Sequence, residues 1–164
     1  AAILAWPDAH FDWQRPGYML YGNSPFTTAQ VNADMLTPAM TFKSAVISLR
    51  NISPGESVGY TSNWTSNRPS SIATITVGYG DGYPRHAPNG TPVLINNIRC
   101  PLVGRVSMDM ITVDVTDLES IEIGDEVTLW GPDLSVNEIA HHCDTIGYEL
   151  LTRMPSRVPR TYIN

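Results

Sequence analysis

Residues 93–115 read VLINNIRCPLVGRVSMDMITVDV. Two short runs predicted as strands, residues 93–95 and 98–100, flank Asn96-Asn97, and asparagine tolerates the positive φ that a two-residue hairpin turn requires. In residues 111–115, apolar side chains alternate with polar ones, which places the apolar set on one face of a strand. The stretch therefore predicts a hairpin followed by a strand with one buried and one solvated face.

Similar runs of strand-forming residues recur along most of the chain. They predict strands at residues 41–52, 71–79, 93–95, 98–100, 103–107, 111–115, 126–130 and 157–163. One helix is predicted after Ser135, because Glu138 three residues later completes a capping box. Many short strands separated by turn residues are typical of a mainly β protein, so we predict an antiparallel β barrel or sandwich.

The first part of the chain does not follow this pattern. A turn at Pro16-Gly17 precedes residues 18–22, which we predict as a short buried strand. We place a domain boundary near residue 36, with residues 37–164 forming the β domain. The chain opens on a short apolar segment without a methionine and passes directly into Trp6-Pro7-Asp8, so we expect it to derive from a longer protein.

Composition narrows the classes of function. The chain of 164 residues carries a net charge of −6 and has no run of lysines or arginines, which argues against nucleic acid and against an anionic membrane as partners. No apolar run approaches the ~20 residues of a membrane helix. Cys100 and Cys143 are too few for a disulfide framework and lack metal-ligand spacing. We therefore expect no metal and a reducing compartment, the cytoplasm.

The first candidate site is the glycine-rich stretch 78–85, GYGDGYPR. Pro84 and the residues that follow cannot open the helix of a dinucleotide-binding fingerprint. Three glycines allow another surface to approach closely, with Tyr79 projecting into a confined space. A tyrosine acts as a base near neutral pH only where neighbours stabilise its phenolate by roughly 4 kcal/mol. Tyr79 is thus a candidate base, although tyrosines near strand ends more often serve packing.

Two further segments remain open between a structural and a chemical role. In the stretch 104–110, Met108 is either a core side chain or the donor of a peptide N–H to a substrate carboxylate. In the stretch 15–18, Arg15 is either a solvated side chain or a partner for a ring nitrogen or carboxylate. Gly17 is either a simple turn residue or part of a backbone cradle for a phosphate. The residues alone do not choose between these roles.

Five motifs in their expected order give the chain a resemblance to the alanine racemases. They are residues 15–22 (RPGYMLYG), 78–83 (GYGDGY), 104–109 (GRVSMD), 149–153 (ELLTR) and 156–160 (SRVPR). The resemblance implies that a mainly β C-terminal domain, antiparallel and barrel-like or sandwich-like, follows the last piece of a (β/α)8 barrel. Residues 1–36 would be that remnant of the barrel, which binds pyridoxal 5′-phosphate (PLP).

The resemblance also implies roles for individual residues. Tyr79 would be the base on one face of the PLP-bound substrate, acting in the active site of the partner subunit of a homodimer. Met108 would bind alanine through its main chain. Arg15 would face the pyridine nitrogen, and Gly17 and Tyr18 would offer backbone amides to the phosphate. The full protein would interconvert L- and D-alanine by two-base proton exchange and supply D-alanine for peptidoglycan.

The chain departs from the family at two positions. Ser156 stands where many members carry a tyrosine that reaches the phosphate. The one lysine of the chain, Lys43, matches no family cofactor motif. We therefore expect the Schiff-base lysine to lie outside this chain and the chain alone to be inactive.

Two alternatives belong to other classes. A related PLP amino-acid decarboxylase usually carries a cysteine in its C-terminal site motif, whereas residues 107–109 of this chain read SMD. A freestanding β binding module is the other alternative. An upstream barrel with a lysine motif in the same reading frame would exclude it.

Overall fold

A computed structural model describes residues 1–163. The chain forms two compact units, with the division between Thr41 and Phe42. The sequence places the domain boundary near residue 36 and assigns residues 37–164 to the β domain. The last residue of that range, Asn164, lies outside the described residues.

The first unit is built from short turns of helix. Helix α1 covers Ala2–Ala5, and single 3₁₀ turns cover Pro7–Ala9 and Tyr18–Tyr21. The side-chain amides of Gln30 and Asn32 both donate to the carbonyl oxygen of Leu4, at 3.1 and 2.7 Å. These bonds satisfy a carbonyl at the end of α1, which has no further turn of its own.

The strand predicted over residues 18–22 is wrong, because the segment forms a 3₁₀ turn. Leu20 N donates to Gly17 O at 2.9 Å, and Leu20 is 66% exposed. Gly22 ends the turn with a φ of +73°, and a Cβ there would lie 1.7 Å from the Thr37 carbonyl oxygen. The close approach of residues 22 and 37 is a long-range contact, which the local strand pattern does not reveal.

Residues 42–163 of the second unit hold eight strands and two α-helices. The strands are β1 (Phe42–Ile52), β2 (Ser57–Val58), β3 (Trp64–Thr65), β4 (Ser70–Ile75), β5 (Pro92–Ile95), β6 (Ile98–Pro101), β7 (Ile111–Asp114) and β8 (Glu126–Trp130). The helices are α2 (Val136–His142) and α3 (Gly147–Thr152). Six strands form one antiparallel sheet in the order β6-β5-β8-β1-β4-β7, and β2 pairs with β3.

The six-stranded sheet is nearly closed on itself. A single bridge between Leu102 and Val113 connects the chain just after β6 with β7, the two edges of the sheet. Side chains from all six strands fill the interior, and Ile111, Val113 and Val115 are each buried. The mainly β, barrel-like antiparallel prediction is confirmed, and so is the alternation in residues 111–115.

Strand β1 belongs to two pairings at once. Its first residues, 42–45, pair with β8, and residues 46–52 pair with β4. The register shifts once in each pairing. The shift lies between Phe42 and Lys43 in the pairing with β8, and between Val46 and Ser48 in the pairing with β4. Such irregularities bend a strand and let one long strand serve two directions of a curved sheet.

The predicted hairpin turn is confirmed. Ile95 pairs with Ile98, and Asn96 and Asn97 have φ values of +50° and +63° between them. Two consecutive residues with positive φ define the hairpin turn whose twist matches that of the strands.

This turn yields a prediction for stability. We expect Asn97→Gly to raise the free energy of unfolding by about 0.5 kcal/mol, because glycine adopts positive φ without a steric cost. Asn63, at a φ of −75°, is the matched control, and Asn63→Gly should lower the free energy of unfolding. Thermal or denaturant unfolding of the protein measures both, and a stabilising effect at Asn63 alone would contradict the argument.

Two predicted strands are wrong. Residues 103–107 form a loop in which Gly104 has a φ of +80°, and a Cβ at Gly104 would lie 2.9 Å from the Val58 carbonyl oxygen. The chain therefore leaves the sheet to pack against β2. Residues 157–163 lie in irregular structure that follows Pro155 and contains Pro159, and proline removes the N–H groups that a strand needs.

The strand predicted over residues 71–79 is correct only in its first part. β4 ends at Ile75, where Val77 N donates back to Ile75 O at 3.0 Å. This local hydrogen bond turns the chain out of the sheet. It thereby separates Tyr79 from the strand in which the sequence pattern placed it.

Helix α2 confirms the helix predicted after Ser135. The Ser135 hydroxyl accepts from Asn137 N at 3.2 Å, whereas the Glu138 carboxylate pairs with Arg99 at 2.5 Å. The cap is therefore one-sided and not the predicted box. The sequence does not predict helix α3, because Ile146 precedes it without a side-chain cap.

Neither cysteine is paired in the structure. Cys100 and Cys143 are buried free thiols, and burial raises the pKa of each to about 11. Over residues 1–163, no helix is both long and apolar enough to cross a membrane.

Candidate active site

Tyr79 lies in a single 3₁₀ turn that follows β4. The turn covers Tyr79–Asp81 and ends at Gly82, whose φ is +96°. Asp81 closes it in both directions, because its N–H donates to Gly78 O at 3.0 Å and its carboxylate accepts from Gly78 N at 2.9 Å. The closed turn holds the Tyr79 side chain outward, where it is 39% exposed.

The second tyrosine of the same motif has a different environment. Tyr83 is 1% exposed and stacks on Trp130, with 6.3 Å between ring centroids. Burial raises the pKa of Tyr83 well above its usual range. Of the two phenols, only that of Tyr79 can meet a substrate.

Met108 lies at the tip of the loop between β6 and β7. Ser107 folds this tip: its N–H and its hydroxyl donate to Met110 O at 3.0 and 2.8 Å, and its hydroxyl accepts from Met110 N at 3.1 Å. Met108 is 52% exposed. Its side chain is therefore not part of the core, which was the structural alternative.

The tyrosine turn and the methionine loop are hydrogen-bonded to each other. Tyr79 N donates to Ser107 O at 3.0 Å, and Gly80 N donates to Met108 O at 2.8 Å. A Cβ on Gly78 would lie 2.3 Å from Met108 O, so only glycine permits this approach. The structure thus brings together two of the residues singled out in the sequence, Tyr79 and Met108.

The main chain of Met108 keeps one donor available. Its carbonyl oxygen accepts from Gly80, but within residues 42–163 its peptide N–H has no acceptor. The tip of the loop is exposed to solvent, so this N–H can donate to a carboxylate that approaches from outside. The hydroxyl of Tyr79 likewise has no hydrogen-bond partner in the same unit.

A third segment contacts both motifs through Arg157. The Arg157 guanidinium donates to Asp81 through Nε at 2.8 Å and to Asp109 through Nη2 at 2.5 Å. All three residues lie inside motifs singled out in the sequence, but the sequence assigns none of them a role. In the sequence, the three residues are one basic and two acidic side chains in three separate motifs. Only the fold shows that they are in contact.

The remaining sequence candidates lie in the first unit. Arg15 is exposed, and its guanidinium has no partner within residues 1–41. Gly17 is also exposed, with a φ of −128° and open space around its Cα. Tyr18 is 4% exposed, so its phenol is buried.

Lys43 is occupied by an ion pair. It lies in β1, and its Nζ is 2.7 Å from a carboxylate oxygen of Glu126 on β8. No group of side chains within residues 1–163 is arranged to hold a metal ion. The part of the chain that the structure describes therefore offers an exposed phenol at Tyr79 but no unpaired lysine amine.

An open cavity of about 460 Å³ flanks the Met108 loop. Its walls include Arg105, Ser107 and Met110, whereas Tyr79 is not among its lining residues. Within residues 1–163, the Nε of Arg105 is buried and has no acceptor. Because the candidate base is elsewhere, we do not place the reaction in this cavity.

Comparison with known proteins places the chain in a family. Residues 39–162 match the family model described as alanine racemase, C-terminal domain. The alanine racemase of Pseudoalteromonas atlantica is 57% identical over the whole of this chain, which covers 44% of that protein. The biosynthetic alanine racemase of Pseudomonas aeruginosa is 52% identical over 99% of this chain and 45% of its own length.

Solved structures agree with these matches. The crystal structure of the Pseudomonas aeruginosa biosynthetic enzyme superimposes with a TM-score of 0.96 over 99% of this chain and 46% of that one. An alanine racemase from Bartonella henselae with covalently bound pyridoxal phosphate is 38% identical, with a TM-score of 0.84 over 91% of this chain and 41% of that one. The chain spans less than half the length of the relatives it matches. The chain therefore belongs to the alanine racemase C-terminal domain family.

Proposed function

We propose that this chain is the C-terminal part of an alanine racemase, and that the whole protein interconverts L- and D-alanine with PLP. One observation carries the proposal. The backbone hydrogen bonds from Tyr79 and Gly80 to Ser107 and Met108 join the segment with an exposed phenol to the segment with an unpaired peptide N–H. Removal of the Cα proton of an amino acid needs a base and a hydrogen-bond donor that binds the substrate carboxylate. The phenol can supply the first and the peptide N–H the second.

The chemistry assigned to the chain is proton transfer. Tyr79, as phenolate, accepts the Cα proton from one face of the substrate, and a second base exchanges a proton at the opposite face. Met108 N–H binds the substrate carboxylate and so fixes which face Tyr79 meets. PLP, when bound, supplies an electron sink that stabilises the carbanion at Cα.

The residues of the first unit fit the non-covalent contacts of PLP. We assign the phosphate to the main chain of Gly17 and Tyr18, which begin a 3₁₀ turn, because successive backbone N–H groups in a turn can cradle an anion. A ring nitrogen next to Arg15 would meet a guanidinium that stays protonated and does not give up a full proton. On this proposal, residues 1–36 are the last piece of the barrel that binds the cofactor.

The covalent anchor is not supplied by this chain. Lys43 is held in an ion pair with Glu126 at 2.7 Å, so its amine is engaged across the β1–β8 pairing. We therefore assign the Schiff-base lysine to the part of the relatives' length that the chain does not span. The chain alone is then inactive, and in a homodimer Tyr79 acts in the active site of the partner subunit.

The biological setting follows from the same proposal. D-Alanine is the product that the full protein would supply for peptidoglycan. The buried, unpaired thiols of Cys100 and Cys143 suit a reducing compartment, the cytoplasm.

Borohydride reduction tests this proposal directly. The full-length protein and this chain are each incubated with PLP, reduced, and measured by intact mass, and both are assayed for conversion of L-alanine to D-alanine. We expect racemisation and a cofactor-sized mass increase in the full-length protein alone, at a lysine outside residues 1–164. A mass increase at Lys43, or turnover by this chain above its Tyr79→Phe variant, would overturn the assignment.

A further inference from the structure

Arg157 occupies a position between the two halves of the candidate site. It follows α3 in an irregular segment of the chain, yet its guanidinium contacts Asp81 and Asp109. Asp81 belongs to the turn that presents Tyr79, and Asp109 is the residue after Met108. One side chain therefore connects the turn that carries the base with the loop that carries the substrate donor.

The contact with Asp81 controls the shape of the turn. Oδ1 of Asp81 accepts from Arg157 Nε and lies 2.8 Å from Nη2. Oδ2 accepts from Gly78 N at 2.9 Å. With both oxygens engaged, the carboxylate cannot rotate, and the Gly78 N–H keeps the acceptor that closes the Tyr79 turn.

The contact with Asp109 extends the same network to the loop. Arg157 Nη2 donates to Asp109 Oδ1 at 2.5 Å. The planar guanidinium fixes the angle between its Nε and Nη2 donors, so the two carboxylates are held in one geometry. A lysine amine at this position would lack that fork.

Gly80 makes room for this arrangement. A Cβ on Gly80 would lie 3.0 Å from Arg157 Nη2 and 3.0 Å from Met108 O. The guanidinium therefore lies directly against the backbone that joins the turn to the loop, at the point where Gly80 N donates to Met108 O. This packing is a second observation, independent of the two ion pairs.

The exposure of the network argues against a role limited to stability. The side chains of Arg157, Asp81 and Asp109 are 48%, 18% and 57% exposed. Solvent-exposed ion pairs contribute little to the free energy of folding. The network, however, joins the turn that carries Tyr79 to the loop that carries Met108, and misplacement of a reacting group is costly to the rate.

We propose that Arg157 is a positioning residue, which holds the Tyr79 turn and the Met108 loop in register through Asp81 and Asp109. The expected effect on kcat rests on the proposed racemase function. The expected effect on the contact between the Tyr79 turn and the Met108 loop does not. Arg157 acts through the two aspartates and touches neither the substrate nor the reacting atoms.

The test uses the full-length protein with three variants: Arg157→Met, Asp109→Asn, and the two combined. We expect Arg157→Met to lower kcat by about tenfold, and Asp109→Asn to lower it less, because Asp81 keeps its contact with Arg157. The combined change should lower kcat no further than Arg157→Met alone, because that change already removes the contact with Asp109. The primary isotope effect with Cα-deuterated alanine should rise in the direction in which Tyr79 is the base, and the thermal midpoint should hardly change.

Arg153→Met is the matched control. Arg153 lies four residues earlier, and its ion pair within residues 42–163 is with Glu149 of its own helical turn, at 2.9 Å. We expect kcat and the isotope effect to remain at the wild-type values in this variant. An unchanged kcat in Arg157→Met, or losses that multiply in the double variant, would overturn the proposal.

Amide hydrogen exchange separates this proposal from the racemase assignment. In Arg157→Met, the N–H groups of Tyr79 and Gly80 should exchange several-fold faster, whereas those of α2 (Val136–His142) should not. If the wild-type protein fails to racemise alanine but exchange quickens at Tyr79 and Gly80, only the proposed function fails. If exchange at these residues is unchanged, Arg157 does not hold the two segments together.

Discussion

Replacement of Tyr79 by phenylalanine in the full-length protein should lower kcat for racemisation by about 10²–10⁴-fold, the usual contribution of a general base. The ring remains, so packing and the backbone hydrogen bonds to Ser107 and Met108 are preserved. Proton transfer should be lost at only one face of Cα. In D₂O, the variant should still exchange the Cα proton of one enantiomer at the opposite base while failing to exchange that of the other.

Tyr83→Phe is the matched control within the same motif. The Tyr83 hydroxyl is buried and, within residues 1–163, has no hydrogen-bond partner. Its removal should leave kcat unchanged and raise the free energy of unfolding by about 1 kcal/mol, because an unsatisfied polar atom leaves the core. Equal loss of activity in both variants, or equal exchange of both enantiomers by Tyr79→Phe, would show that Tyr79 is not the base.

Gly78→Ala should produce the second large effect, and on two quantities together. The new Cβ would lie within 2.4 Å of three backbone atoms, Met108 O, Met108 C and Ser107 O. Since no flexible side chain can move aside, the turn and the loop must separate. We expect the free energy of unfolding to fall by about 2–3 kcal/mol and kcat to fall by about 10²-fold, as for a reacting group displaced by about 1 Å.

Gly124→Ala distinguishes this contact from backbone strain. Gly124 lies in the turn before β8 with a φ of +100°, and a Cβ on it would meet no other atom within 4 Å. The substitution should cost about 1 kcal/mol of stability and leave kcat unchanged. Circular dichroism melts and racemase assays on the full-length proteins measure both effects, and wild-type activity in Gly78→Ala would contradict the proposed approach of the two segments.

The parts of the fold that follow from short-range rules could be predicted from the sequence. The alternation in residues 111–115 sets one face of β7 by the two-residue period of a strand. The turn at Asn96-Asn97 follows from the tolerance of asparagine for positive φ. The start of α2 follows from the hydroxyl of Ser135. Each of these depends on residues within a few positions of one another.

The strand predictions fail where contacts between distant residues determine the backbone conformation. Residues 103–107 have strand-forming side chains, but Gly104 turns the chain towards β2 because of its contact with Val58. Residues 18–22 likewise form a 3₁₀ turn because Gly22 packs against Thr37. Neither contact leaves a local pattern in the sequence.

The candidate site, too, could be predicted from the sequence only where the signal is local. The glycines around Tyr79 indicated a close backbone approach, although they could not show that Met108 lies on the other side. The Met108 N–H carries no side-chain signature. The connection of Arg157 with Asp81 and Asp109 joins three distant segments, and charge alone could not select it from the other possible pairs.

The double pairing of β1 has a consequence for the order in which the domain forms. The hairpin β5–β6 can close as soon as it leaves the ribosome, whereas residues 42–45 of β1 wait for β8, which is made much later. Pairings between distant strands are slow to form. Until β8 emerges, the nascent domain therefore presents an open strand edge, and this interval is when it is most exposed to aggregation and to chaperones.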